Sequence, residues 1–197
     1  FYQYQVRARD AAGYVSALSS IAPVTTAALL FSDSFESGNL SKWTGVTGLI
    51  VPTQEVYAGT YAARETTTSA ATWAYKPLSP EQNELYYRLR FKIISQSSNV
   101  YLLKFRTSTG TSIMGMYVVS GTAKLAIRND AAGITTSSTT TVTAGVWHDA
   151  QIRVRIDGAT GQSEVWLDGV RVDALSKTES FGTTPIGRIQ LGDNSGA

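Results

Sequence analysis

The chain has 197 residues, of which 43% are hydrophobic, and this is enough to build a complete core for one large β-sandwich. Its formal net charge of +2 is too small to indicate a nucleic-acid partner, and the sequence holds no nucleotide-binding or zinc-finger motif. Cysteine is absent, which excludes disulfides and thiolate metal sites, and no apolar run is long enough to insert into a membrane as a helix. Abundant Thr, Ser and Gly favour an all-β protein with many turns.

Residues 1–20 have the pattern of two strands joined by a turn at residues 10–13. This run resembles the last two strands of a fibronectin type III domain, which implies a partial domain of that kind. A stray hairpin that packs on the next domain is the alternative. Residues 21–29 are a linker by composition. The positions that carry the resemblance are Tyr2, Tyr4, Val6, Ala8, Asp10, Gly13, Ser16 and Ser19.

From residue 30 onward, short β-patterned runs alternate with Gly, Pro and Asn turn signals, which is typical of a two-sheet antiparallel sandwich. Residues 77–80 are expected to form a turn. The polar run 133–141 is expected to be a surface loop that leads into an edge strand. The predicted strands are 48–51, 60–65, 71–76, 84–94, 100–107, 112–119, 124–128, 139–142, 147–157, 163–167, 169–172 and 187–191.

The clearest element is the stretch 146–173. Apolar and polar residues alternate through 151–157 and again through 163–167, and Asp168-Gly169 is a two-residue hairpin signal. The stretch therefore predicts a three-strand antiparallel meander with one apolar face. That face needs a second sheet to pack against, because a lone meander cannot bury it.

The motif WHDAQIRVRIDGATGQSEVWLDG, together with FSDSFESGNLSKW, GTYAAR and IGRIQLGD, resembles concanavalin A-like lectin/glucanase domains, the laminin-G-like jelly rolls. The resemblance implies a jelly-roll sandwich over residues 30–197. It also implies that a final strand, which usually follows the last of these motifs, is missing. This fold hosts enzymes, lectins and passive spacers alike, so it does not fix the function.

No catalytic residue is predicted. Laminarinase-type members of this fold carry closely spaced acidic residues on one strand, and no such run is found here. Glu164 and Asp168 come nearest, but Asp168 belongs to the hairpin turn. His148 is the single histidine and is expected to be a polar residue at a strand start.

Some relatives in the resembled family hold a structural calcium ion between an N-terminal acidic loop and an Asp near the C-terminus. The resemblance implies a Ca²⁺ site here, because carboxylate and carbonyl oxygens suit that ion. The alternative is that the acidic residues only shape their turns. The implied ligands are Asp33, Glu36, the carbonyl of Gly38, and Asp193.

Basic residues alternate with core residues along the predicted strands 84–94, 100–107 and 147–157. If these strands are neighbours, one sheet face carries an array of cations with aromatic rings, suited to an acidic polysaccharide. The alternative is a solvated face on which the charges pair across strands. The residues of the array are Tyr86, Arg88, Arg90, Lys104, Arg106, Arg153, Arg155 and Trp166, and Trp73 with Tyr75 form a second candidate sugar platform.

These patterns favour a non-catalytic carbohydrate-binding or adhesion module of a longer extracellular or cell-surface protein. The chain begins on a strand pattern rather than a signal peptide, which is expected of an internal piece. One alternative is a building block of a surface fibre whose open sheet edges are completed by neighbouring chains. A weaker alternative is a glycoside hydrolase or lyase.

Overall fold

The computed structural model describes residues 2–4, 7–19, 22–24, 29–65 and 70–193. The chain forms two compact units, Phe1–Ser32 and Asp33–Ala197. Strands account for 48% of the chain and helices for 3%, which confirms the all-β class. No helix in the described ranges is long and apolar enough to cross a membrane.

The first unit is a hairpin. Strand β1 (Tyr2–Tyr4) pairs antiparallel with β2 (Ala22–Val24), and Arg9 bridges to Val15. Asp10 organises the turn, because its side chain accepts a hydrogen bond from the backbone N–H of residue 14 at 2.9 Å. Strand β2 lies inside the stretch 21–29 that composition marks as a linker. Val6 lies outside the described residues, and the relation to fibronectin type III stays a prediction.

The second unit contains a seven-stranded antiparallel sheet. Its last strand in sequence lies inside the sheet, between two strands that come much earlier in the chain. A strand after residue 193, which the resemblance implies, would fall outside the described residues. In spatial order the strands of this sheet are β11 (Ile134–Thr141), β10 (Lys124–Asn129), β9 (Ser112–Val118), β8 (Val100–Arg106), β16 (Ile186–Asp193), β6 (Thr72–Gln82) and β3 (Gly45–Thr47).

A five-stranded sheet faces it and contains the predicted meander. In spatial order its strands are β14 (Val170–Arg171), β13 (Gln162–Leu167), β12 (Trp147–Arg155) and β7 (Glu84–Lys92), and β15 (Lys177–Thr178) also pairs with β13. Asp168 and Gly169 both have positive φ, 53° and 80°, as a tight two-residue hairpin turn requires. Beside these sheets lie a pair of short strands, β4 (Leu49–Ile50) and β5 (Arg64–Glu65), and two short 3-10 helices, Gly158–Thr160 and Asp173–Leu175.

The core lies between the two sheets. Phe105 and Met114 of the seven-stranded sheet are fully buried, as are Ile152 and Val154 of the five-stranded sheet to within 2%. The rings of Tyr87 and Phe105 meet edge to face across the interior at 6.0 Å. Burying each such side chain contributes about 1.5–3 kcal/mol, so this layer accounts for much of the stability. The structure is the predicted jelly-roll sandwich.

Two of the differences from the expected strands have a clear physical reason. Strand β6 continues through residues 77–80, where the sequence predicts a turn. Beyond residue 75, β6 pairs with β16 alone among the described strands, so its other side is an open edge. Prolines are tolerated there because an open edge does not need their missing N–H. Strand β11 spans the whole of Ile134–Thr141 rather than its second half. Its β-branched Thr and Ile residues have high strand propensity, which outweighs the low apolar content.

Candidate functional site

The predicted basic array is divided between the two sheets. Strand β7 pairs with β12, so Arg88 and Arg90 share the outer face of the five-stranded sheet with Arg153. Strand β8 pairs instead with β9 and β16, which places Lys104 and Arg106 on the seven-stranded sheet. The eight residues therefore do not share one surface, and that part of the prediction is wrong.

Most charges on the outer face of the five-stranded sheet are paired. Arg153 bonds to Glu84 at 2.6 Å and to Glu164 at 2.9 Å, and Arg155 bonds to Asp157 at 2.9 Å. The hydrogen bond that Arg153 donates to Glu84 is the largest cause of the raised pKa of Arg153, and the bond that it donates to Glu164 comes next. Such cross-strand ion pairs are typical of a solvated sheet face, on which the charges neutralise one another without a ligand.

The two aromatic members of the array are also on this sheet. Tyr86 is 64% exposed, and its ring centroid lies 5.8 Å from the Arg153 guanidinium. Trp166 lies opposite Gln151 in strand register and is half-buried. Both aromatics sit within the paired region of the sheet.

One cleft of about 390 Å³ opens on this same sheet, at the end where β12 begins. Its floor is formed by arginines and an aspartate, and aromatic rings form its wall. The lining residues are Tyr57, Arg88, Arg90, Trp147, His148, Asp149, Gln151, Asp168 and Gly169.

His148 and Asp168 form a structural pair at the edge of this cleft. Nδ1 of His148 lies 2.7 Å from Asp168, and its Nε2 accepts the backbone N–H of Thr143 at 3.1 Å. Asp168 also accepts the backbone N–H of Asp149 at 2.8 Å. Burial opposes ionisation of Asp168, but these hydrogen bonds outweigh it and hold the pKa of that carboxyl below its ordinary value.

The outer face of the seven-stranded sheet carries a second polar surface. Register places Tyr75 beside Gln190, Gln190 beside Lys104, and Arg188 beside Arg106. Because these residues alternate with core residues such as Phe105, they point away from the five-stranded sheet. We call this surface the aromatic–basic face; it consists of Trp73, Tyr75, Tyr101, Tyr117, Lys104, Arg106, Arg188 and Gln190.

Glycines on neighbouring strands let two of these rings lie close to the sheet. A Cβ on Gly115 would lie 2.7 Å from the Tyr101 ring, and Gly45 stands in the same relation to Tyr75. Trp73 stacks beside Tyr75 with a 5.6 Å centroid distance and a 26° angle. The rings of Trp73 and Tyr75 therefore form an aromatic platform of the kind that stacks on sugars.

The cations of this face are partly removed from water. Lys104 is 8% exposed, forms an ion pair with Asp193, and lies 4.1 Å from the centre of the Tyr101 ring. Burial lowers the pKa of Arg106 from its ordinary value. The guanidinium of Arg188 lies 5.0 Å from the centre of the Tyr75 ring.

One carboxyl group and one phenol near these cations have raised pKa values. Burial and the charge of Asp193 raise the pKa of Glu65 to about 7. Burial, followed by the charge of Asp193, raises the pKa of Tyr101 to about 12. Sequence reasoning found Lys104 and Arg106 but missed Arg188, although the alternation in IGRIQLGD places it on the same side of its strand as Gln190.

Asp33, an implied calcium ligand, forms hydrogen bonds within its own loop. Its carboxylate accepts the backbone N–H of Phe35 and the indole N–H of Trp43, both at 2.9 Å. The side chain is 2% exposed. Asp33 therefore holds Trp43 in place within the opening motif.

The other implied ligands are engaged too. Glu36 accepts the backbone N–H groups of Thr60 and Tyr61 at 3.0 to 3.1 Å, and Gly38, with φ 70°, lies under the Tyr61 ring. Asp193 is paired with a lysine. Each of these carboxylates already accepts N–H groups or an ammonium group, so a shared calcium ion would have to compete with those contacts. No group of three or more His, Cys, Asp or Glu side chains in the described ranges comes together to hold a metal, and calcium binding stays a prediction.

Comparison with known proteins identifies the fold. No protein-family model and no curated protein matches the chain. Among solved structures, it is similar to an endo-β-1,4-glucuronan lyase from the fungus Trichoderma reesei, with a TM-score of 0.60 and 17% identity over 79% of this chain and 80% of that chain. A sialidase has a TM-score of 0.60 and 12% identity over 84% of this chain, which spans only 15% of the sialidase.

The carbohydrate-binding module CBM66 of Bacillus subtilis is similar at 13% identity over 76% of this chain and 94% of that chain, but its TM-score of 0.44 is too low to carry an argument. At these identities the likeness shows the fold alone. The chain has the fold of a jelly-roll β-sandwich.

Proposed function

We propose that this chain is a non-catalytic module that binds an acidic polysaccharide along the aromatic–basic face. The observation that carries the proposal is the position of Arg188. The residue is half-buried, its guanidinium lies against Tyr75, and it stands opposite Arg106 in strand register; no hydrogen bond or ion pair joins it to any carboxylate in the described part of the chain.

Two arginines in direct register repel each other, and partial burial strengthens that repulsion. An anion placed between them removes the cost. A carboxylate fits best, because a guanidinium presents two parallel N–H donors to its two oxygens. The nearby Trp73 and Tyr75 rings then supply the apolar surface on which a pyranose ring stacks.

Binding without catalysis agrees with the state of the titratable groups. The raised pKa of Tyr101 keeps its phenol protonated at neutral pH, so it is a poor general base. Lys104 is held by Asp193. A polysaccharide ligand fits a place outside the cell or on its surface, within a longer protein.

The test is the affinity of purified protein for polyglucuronate and for a neutral β-glucan, measured by affinity electrophoresis. Because a charge-assisted hydrogen bond contributes about 1.5–3 kcal/mol, Arg188→Gln should weaken polyglucuronate binding by about 10-fold or more. Arg171→Gln is the matched control, since Arg171 is an exposed arginine on β14 paired with Asp173.

Three results would contradict the proposal. Equal losses in the two variants would remove Arg188 from the site. Release of unsaturated uronate, followed by ultraviolet absorbance, would show a lyase. Filaments in electron micrographs of protein that binds no glycan would favour the fibre building block.

A further inference from the structure

The cleft on the five-stranded sheet is a second feature that the proposed function does not use. We infer that it binds a single anionic sugar residue, a hexuronate, with the carboxylate on Arg90 and the sugar ring against Tyr57 and Trp147. The cleft and the aromatic–basic face lie on different sheets, so each site can fail without the other.

Arg90 is held ready for an anion. Its Nε donates to Asp149 at 3.3 Å, and its guanidinium lies 4.4 Å from the centre of the Tyr57 ring. These two contacts fix the plane of the group. Neither terminal nitrogen of Arg90 has a hydrogen-bond partner among the residues that the structure describes. The side chain is 47% exposed beside the cleft, so a ligand can reach these nitrogens. A preorganised guanidinium loses little entropy when it binds a carboxylate.

The two arginines of the cleft share a single carboxylate. Arg88 donates to both oxygens of Asp149 at 2.8 and 3.0 Å through Nε, and Gln151 donates to the same carboxylate at 3.2 Å. One aspartate therefore serves two arginines. The hydrogen bond from Arg88 is the main reason that the pKa of Asp149 is lowered. Asp168, the other acid of the lining, is engaged with His148 and backbone.

The aromatic wall and the size of the cleft limit the ligand. Tyr57 is 51% exposed and meets Trp147 edge to face, with a centroid distance of 5.6 Å and an angle of 73°. Their surfaces suit the apolar face of a pyranose. At about 390 Å³ the cleft is near the lower end of the range for small-molecule pockets, which favours a single sugar residue over a long chain.

The experiment titrates the protein with sodium D-glucuronate and, as the neutral counterpart, with D-glucose. The readout is the indole N–H signal of Trp147 in the NMR spectrum, assigned with Trp147→Phe. Wild type should bind glucuronate more tightly than glucose. Arg90→Gln should weaken glucuronate binding by about 10-fold and leave glucose binding unchanged, because only the carboxylate contact is lost.

Two further variants control the interpretation. Tyr57→Ala removes the wall and the support of Arg90, so it should weaken binding of both sugars. Arg171→Gln should change neither, and thermal melting confirms that each variant is folded. The inference is overturned if glucuronate and glucose bind equally, if neither shifts the Trp147 signal, or if glucuronate binding is lost in Arg188→Gln and kept in Arg90→Gln. The last result would place the sugar on the aromatic–basic face, whereas polyglucuronate binding lost only in Arg188→Gln concerns the proposed function alone.

Discussion

Substitutions at Asp168 separate two contributions to the stability of the β13–β14 hairpin. Asp168 adopts a left-handed backbone conformation, with φ 53°. Its carboxylate also accepts hydrogen bonds from His148 and from the backbone N–H of Asp149. Asn tolerates this conformation and keeps an acceptor oxygen, Gly tolerates it without any acceptor, and Ala does neither.

The magnitudes follow from these contacts. A left-handed conformation costs Ala about 1 kcal/mol. The hydrogen bonds contribute about another 1 kcal/mol, a low value because the side chain is 48% exposed. We expect losses of about 2 kcal/mol for Asp168→Ala, about 1 for Asp168→Gly and about 0.5 for Asp168→Asn. For a chain of this size, about 1 kcal/mol lowers the melting temperature by about 2–4 °C.

Thermal melting of the three variants, followed by circular dichroism, checks the order. Asp168 has a lowered pKa, so its contribution is present above the unfolded value of 3.8 and is lost as the pH falls through the folded value. The cost of Asp168→Asn should therefore vanish in acid. Equal melting temperatures for the Ala and Asn variants at neutral pH would refute the reasoning.

Three other predictions concern the core, a shifted carboxyl and the metal. Phe105→Ala should cost about 3–5 kcal/mol in urea unfolding, because the ring is fully buried between the sheets, and a loss below 1 kcal/mol would contradict that placement. The pKa of Glu65 is raised to about 7, so its contribution is full below the unfolded value of 4.5 and is lost as the pH rises through 7. Glu65→Gln should thus stabilise the protein slightly at about pH 8 and not at about pH 4, as seen in melts at both pH values. If Asp33 and Glu36 hold calcium, a chelator should lower the melting temperature of calcium-loaded protein, and an unchanged melt removes the calcium prediction.

Local pattern was sufficient to predict much of the fold. The alternation through Ile152 and Val154 indicates which residues face the core, and Asp168-Gly169 indicates the turn. Strand β6 shows the limit, because tolerance of Pro77 depends on whether a neighbour needs its missing N–H. That information lies in the pairing of strands and not in the sequence of one strand.

The candidate sites depend on pairing even more strongly. Alternation predicts correctly that the side chains of Arg88 and Lys104 point away from the core. It does not predict that they lie on different sheets, on opposite outer faces of the sandwich. Arg188 meets Arg106 across 82 positions of sequence, given their numbers, and no local signal reports such a contact. Tyr57, which completes the cleft, lies in a segment without strand structure whose position follows from the surrounding fold.

The central place of β16 has a consequence for how the protein is made. Until Ile186–Asp193 leaves the ribosome, β6 and β8 have no strand between them, and the larger sheet exists only as two separate parts. Pairing across such sequence distances makes folding slow, because loop closure precedes the contacts that stabilise it. The aromatic–basic face is thus completed only after β16 has been synthesised. A polysaccharide that contacts both Tyr75 on β6 and Arg106 on β8 would also hold together the two parts that this late strand joins.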